Sequence, residues 1–506
     1  MGRLTATIAL IGGGSLLACG VAQAQFGRGA GDWNTVGGDA QRSNWVRNDA
    51  KIAKSAVEKP GFGFIWKVKL ENTPKQANAL TPALVMTGYI GYRGFRALAF
   101  VGGSSDKVFA FDTDLGHIEW QKTVASAPAG GGTAACPGGM TSNIARATTS
   151  SFPSMPQGFG RGGRGSAAKS GVGEPGEGGI TLKELAARAS APAPAFPAAR
   201  GGSAPAVPPR RMPNYVHVLG SDGMMHSMYV SNGEEPEPAV KFLAPNANAQ
   251  GLIVVDNVAY VTTSGACGGV ADGVWALDLE SKKVSTWAGK VAGTSGPAIG
   301  PDGTLYVSTT AGDVVALGAK TLKMKEAYQA KQELATAPVL FQYKDKTLAA
   351  AAAKDGKIHV LDTARMTAPL TAPATANANG AALSSWQDAD GTRWLLVPTA
   401  SAVGAWKLVE QNGATSLQQG WTSRDITSPI APMIVNGVVF AASAGQRGTP
   451  AVLYALDGAT GKELWNSGKS ITSFIPRGGG LSGGGTQLYL GTHDGTFYAF
   501  GFPIEH

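Results

Sequence analysis

One phrase keeps returning along this chain: an apolar strand, a turn opened by Asp and usually containing Gly, then a second strand that often carries Trp. Its best copies are VFAFDTDLGHIEW, ending at Trp120, and LYALDGATGKELW, ending at Trp465. VWALDLESKKVSTW, ending at Trp287, and IHVLDTARM, ending at Met366, are degraded copies. The physical logic is that of a tight hairpin. Asp112 and Asp457 are placed to accept backbone N–H bonds from the turns they open, and Gly116 and Gly461 tolerate a positive φ that would strain a side chain. The strands Val108 to Phe111 and Leu453 to Leu456 are apolar on both faces, so both faces must be covered, as they are when such units stack as blades.

The units can be counted from their small or Pro-containing starts, near Thr81, Thr148, Ala249, Thr294, Thr336, Ala382, Ser428 and Phe474. The successive spacings are 67, 101, 45, 42, 46, 46 and 46 residues, and five of these seven fit a blade of about 40–45 residues. The two long intervals have visible causes. A Gly/Ala-rich loop, Ala125 to Ala135, lengthens the first, and a biased insert at about 153–212 lengthens the second. The expected fold class is therefore all-β: an eight-bladed β-propeller of four-stranded antiparallel blades. The last blade runs out of chain after LYLGTHDGTFYAF, so the N-terminal strand FIWKVKL, Phe64 to Leu70, is expected to supply its outer strand and close the ring without exposed edges.

At these residues the chain resembles the pyrroloquinoline quinone (PQQ)-repeat β-propellers of the quinoprotein alcohol dehydrogenase-like superfamily. The carriers are the AxDxxTGxxxW hairpins and the opening DWNTVGGDAQRSNW, Asp32 to Trp45, which is similar to the first segment of the dehydrogenases. The superfamily also includes outer-membrane assembly lipoproteins, and the motifs specify blades rather than catalysis. In the dehydrogenases the resemblance implies a quinone in the central channel beside a calcium or lanthanide ion held by carboxylates and amides. Such an ion needs several oxygen donors and negative charge. The inner-strand starts here read Thr81-Pro82-Ala83, Thr148-Thr149-Ser150, Gln250-Gly251, Ser295-Gly296-Pro297, Thr336-Ala337-Pro338, Leu383-Ser384, Ser428-Pro429 and Pro476-Arg477-Gly478. None carries Asp or Glu, and no metal-ligand set of the family maps onto this chain.

The formal charge of +8 raises the question of a nucleic-acid partner, so its location matters. Between Ser151 and Pro213 lie six Arg, two Lys and three Glu, a net of +5 in a Gly/Pro/Ala-rich stretch with no aromatic interleaving. This is a solvated insert rather than a nucleic-acid surface. Elsewhere charge is sparse: Asp, Glu, Lys and Arg make up 15% of the chain against an ordinary share of about 25%. The N-terminus has Arg3, an apolar run from Leu4 to Leu17 and Ala22-Gln23-Ala24 before Gln25, the pattern of a secretory signal peptide over residues 1–24. Leu16-Leu17-Ala18-Cys19 offers the alternative of a lipobox with Cys19 lipidated. Either way the mature chain, 25–506, is expected in the periplasm or outside the cell, with no transmembrane span. There, Cys136 and Cys267 are expected to form one disulfide, with two reduced thiols as the alternative.

Two arginines stand at inner-strand starts, Arg146 in SNIARATTS and Arg477 in FIPRGGG. Both are candidates for ligand binding at the channel mouth, because a guanidinium fork suits carboxylates and phosphates. Asn143, Asn246, Asn248 and Asn379 occupy loops expected on the same face as Arg146, with turn formation as their plainer role. GMMHSMYV, with Met224, Met225, His226 and Met228, has donors that suit Cu(I), but it aligns with the repeat phrase as the second strand of a hairpin opened by Asp222. His359 reads as a strand residue. Within the insert, TLKELAARA, Thr181 to Ala189, has a capping-box pattern. The reading that follows is an exported binding or scaffold propeller for a protein or cell-envelope partner. Its alternative is a PQQ-dependent oxidoreductase with an atypical site, using calcium or a lanthanide.

Overall fold

The computed structural model describes residues 31–91, 94–124, 132–153, 214–367, 374–375, 377–411 and 413–503. The leader, Cys19 and nearly all of the insert lie outside the described residues. Eight small sheets follow one another around a ring. Blade 1 is typical, with antiparallel strands Leu84–Gly91, Gly94–Gly103, Lys107–Asp112 and His117–Thr123 running from the axis outward. Blade 8 takes its outer strand from the N-terminus. Gly63–Lys69 pairs antiparallel with Thr496–Gly501, Gly63 opposite Gly501 and Lys69 opposite Thr496. The ring is closed as its sequence requires.

Two blades depart from the four-stranded plan. Near the axis of blade 2 the described residues pair with their own blade only through a bridge between Ala145 and His217. Two residues later Ala147–Thr148 has crossed to run parallel with Val254 and Val255 of blade 3. The expected inner strand at Thr148 therefore belongs to its neighbour's sheet, and blade 2 keeps a three-stranded sheet. In blade 7 an extra pair, Trp45–Val46, runs parallel beside Met433–Val435.

The repeat phrase also explains how blades are joined. Asp112 Oδ1 accepts the Asp114 N–H at 3.0 Å, and Asp457 Oδ1 accepts those of Ala459 and Thr460 at 2.8 and 3.3 Å. Gly461 has φ +73°, and a Cβ there would stand 2.5 Å from the indole of Trp421, an outer-strand residue of blade 6. That indole donates its N–H to Gly458 O at 2.9 Å. Trp66 of blade 8 docks in the same way on blade 1, bonding Thr113 O at 2.9 Å, and Trp120 of blade 1 reaches Val230 O of blade 2 at 3.0 Å. Each such Trp binds the turn of the next blade, so the Gly of one phrase is shaped by the Trp of another. The largest apolar cluster covers the closure seam between blades 7, 8 and 1, where Phe440, Phe497, Phe500 and Phe111 are fully buried.

Candidate functional site

The opening DWNTVGGDAQRSNW is a hub across one end of the channel. It folds back on itself where Gly37 and Gly38 take φ of +78° and +83°, and a Cβ on either would collide with Arg42 or Trp33. From this turn the segment reaches the inner strands in order. Trp33 exchanges backbone bonds with Val85 in blade 1, at 2.8 and 2.9 Å, and Asn34 O accepts the Arg146 N–H of blade 2. Thr35 Oγ1 donates to Leu252 O of blade 3 at 2.6 Å. Ile299, Leu340, Ser385 and Ile434, in blades 4 to 7, donate their N–H groups to the carbonyls of Ala40, Gln41, Ser43 and Asn44. Just beyond, Asp49 Oδ2 accepts the Thr486 N–H of blade 8 at 2.9 Å.

Arg42 lies at the centre of this hub and is 1% exposed. Its guanidinium donates to Pro297 O at 3.0 Å, Val36 O at 2.7 Å, Gly251 O at 2.8 Å and Thr35 Oγ1 at 2.8 Å. Burial pushes its pKa down to about 9, against the pull of the neighbouring Asp39 carboxylate. It is still a cation at neutral pH, its charge spread over carbonyl dipoles. Sequence reasoning missed it. The only local signal was a Gly-Gly turn four residues earlier.

Above the hub the channel is a blind well of about 980 Å³. Val36, Gly37 and Asn44 of the hub lie on its lining, with Ala, Pro, Ser and Thr side chains and the amides of Asn78, Asn143, Asn248, Gln250 and Asn379 on the walls. The Cys136–Cys267 disulfide, Cα atoms 5.5 Å apart, joins the loop between blades 1 and 2 to a loop of blade 3 beside this lining, next to Ala135 and Gly265. Among the described residues three charged side chains line the well: Glu333, Lys354 and Arg477. Glu333 and Lys354 form an ion pair at 2.6 Å. Neither was a candidate from the sequence, because Glu333 precedes the inner-strand start at Thr336 and Lys354 belongs to the turn after the next strand.

The two candidate arginines are not brought together. Arg477 lines the well, and its Nη1 is 3.4 Å from Ala134 O. Arg146 is held on the hub side, paired with Asp32 at 2.8 Å and donating to Asn214 Oδ1 at 3.2 Å, and is not part of the lining. Among the asparagines, Asn143, Asn248 and Asn379 reach the well, while Asn246 takes φ +62° and turns the chain, its N–H bonded to Ser221 O. Asn143 Nδ2 is engaged by Thr35, Ile144 and Leu252, which fixes the amide and leaves its buried Oδ1 without a donor. Met225 and Met228 are core residues of the strand Met224–Tyr229. His226 Nδ1 is 3.0 Å from Glu235 Oε1, and His359 Nδ1 3.1 Å from the Tyr328 hydroxyl. Among the described residues no three His, Cys, Asp or Glu side chains are grouped to hold a metal, and no helix is long and apolar enough to cross a membrane.

The lining tests the quinone and its ion directly. A calcium or lanthanide ion takes about six to eight oxygen ligands, with carboxylates among them. Among the described residues the one carboxylate of this lining is neutralised by Lys354, and no aromatic side chain of the lining offers a planar ring a stacking face. The donor set does not fit that group.

The fold resembles that of the PQQ-repeat propellers, and comparison with known proteins agrees. Residues 271–500 match the family described as outer membrane protein assembly factor BamB. The whole fold superposes on quinohemoprotein alcohol dehydrogenase from Comamonas testosteroni with a TM-score of 0.55 and 14% identity, over 94% of this chain and 81% of that one. A europium-containing methanol dehydrogenase gives a TM-score of 0.55 and 12% identity, over 94% and 99%. Quinohemoprotein alcohol dehydrogenase ADHIIG from Pseudomonas putida HK5 gives 0.54 and 12%, over 94% and 81%. At such identities the likeness is one of fold. No curated protein matches the sequence. The chain resembles the PQQ-repeat β-propeller superfamily, whose fold is common to BamB and to quinoprotein dehydrogenases.

Proposed function

We propose that the protein is an exported, non-catalytic binding propeller that receives a protein or cell-envelope partner at the open face of its well. The observation that carries this reading is the lining itself: amides, hydroxyls and small side chains around a channel plugged at one end, with its single carboxylate already paired. Such a surface can recognise polar groups, and among the described residues its hydroxyls have no base beside them and no ion-binding cluster is grouped there. Export rests on the leader pattern of residues 1–24, with the disulfide consistent with an oxidising compartment. The insert at 153–212 serves as an accessory arm. Its described flank at Ser150 accepts a bond from Gln41 of the hub.

The test is calorimetric titration of the mature protein with PQQ, with and without calcium or a lanthanide, followed by a dye-linked alcohol oxidation assay. No heat of binding and no turnover are expected. Tight, metal-dependent binding with turnover would instead make the protein a PQQ-dependent oxidoreductase.

A further inference from the structure

The lining of the well is unbalanced in charge. Glu333 and Lys354 neutralise each other, which leaves Arg477 as the cation without a counter-charge among the described residues. Its partner within the protein is the neutral Ala134 carbonyl, at the long distance of 3.4 Å. Arg477 is exposed on the turn Pro476–Gly479, closed by the Gly479 N–H on Pro476 O at 2.9 Å, with φ +82° at Gly478 as the third position of a type II turn requires. The turn holds the guanidinium's backbone at the lining, and the fork is matched to a carboxylate.

The remaining features narrow what carries that carboxylate. The volume of about 980 Å³ is at the upper end of ligand sites, which span about 300–1,000 Å³, far more than a small free acid would fill. The hub closes the floor, so an occupant enters from one side, as a loop or a chain end does. Among the described residues the lining has no aromatic side chain on which the apolar face of a sugar would stack. It does have Gln250, whose amide keeps Oε1 and one N–H to pair with a peptide backbone, and the acceptor Asn78 Oδ1, while the Nδ2 groups of Asn78 and Asn248 are held by Gly138, Met140, Ala135 and Ser264. Resting on the binding-propeller reading above, we propose that the well takes an acidic peptide segment of a partner protein, with an Asp or Glu side chain of that segment held by Arg477.

The experiment uses two fluorescein-labelled degenerate heptapeptide libraries, one with Asp or Glu at the central position and one with Asn or Gln there, titrated by fluorescence polarisation against the mature protein. The acidic library should bind on the order of tenfold tighter, and the preference should weaken with added salt. Arg477→Ala, a change at an exposed turn position, should erase the preference, and Arg477→Lys should restore part of it. Glu333→Gln frees Lys354 and should tighten the acidic peptides further, a gain that misfolding cannot mimic. Equal binding of the two libraries, no binding of either, or displacement by free succinate as effective as by peptide would each overturn the assignment. Metal-dependent quinone binding would overturn the binding-propeller reading whatever the peptides do. Failure of both quinone and peptides would remove the acidic segment alone.

Discussion

Arg42 shows how much one side chain can hold when its partners are distant in sequence. Gly251 and Pro297 belong to blades 3 and 4, so truncation at Arg42 would leave their buried carbonyls without donors as well as opening a space under the well. Arg42→Ala should cost about 3 kcal/mol or more, read from urea unfolding, and Arg42→Lys should fall between it and wild type because an ammonium cannot span the same acceptors. His217 is a second residue whose burial has a measurable consequence. Desolvation pushes its pKa from 6.5 down to about 4, while Nδ1 stays 3.0 Å from Ser227 Oγ. Between these values the unfolded chain binds a proton that the native one does not, so stability falls as pH drops from 6.5 toward 4, by up to about 3 kcal/mol. Burial lowers His359 as well, with the same sign. Denaturation midpoints across this range should show the loss, and His217→Gln should flatten part of it.

At the scale of strands and turns, the sequence was most legible where the chemistry is local. Asp112, Asp457, Gly116 and Gly461 announced their hairpins because a turn is specified by the residues inside it. The docking of Trp421 on Gly461 shows where that legibility stops: both residues were visible, but nothing in either repeat says that they meet across a blade boundary. Gly461→Ala tests this contact. It forces a Cβ to 2.5 Å from the ring at a positive φ, and should cost about 1–3 kcal/mol with a visible change in tryptophan emission. The crossing of Ala147–Thr148 into blade 3 was equally hidden, since a two-residue strand carries no periodicity. The same holds for the site. Arg477 could be singled out because it interrupts an inner-strand start. The Glu333–Lys354 pair could not, because its members meet only through the bridge of Leu334 with Ala353, and the ion pair of Arg146 with Asp32 was hidden because Asp32 belongs to a segment far away in the chain.

For the whole molecule, eight-fold repetition, blade spacing and closure by FIWKVKL were all readable, because each follows from covering apolar faces and edges. That the N-terminal opening would touch all eight blades was not, since its bonds are mostly backbone to backbone and leave no mark on residue type. Removing residues 25–70 should therefore abolish cooperative unfolding, as followed by calorimetry, rather than merely trim its midpoint. The closure also imposes an order in time. Gly63–Lys69 is synthesised before blades 1 to 7, and its partner Thr496–Gly501 after them. The earlier strand must wait unpaired until the seven intervening blades exist, so the ring closes in a late, slow step governed by its longest loop. During that wait, its vulnerability to aggregation is set by how long the two closing strands take to find each other.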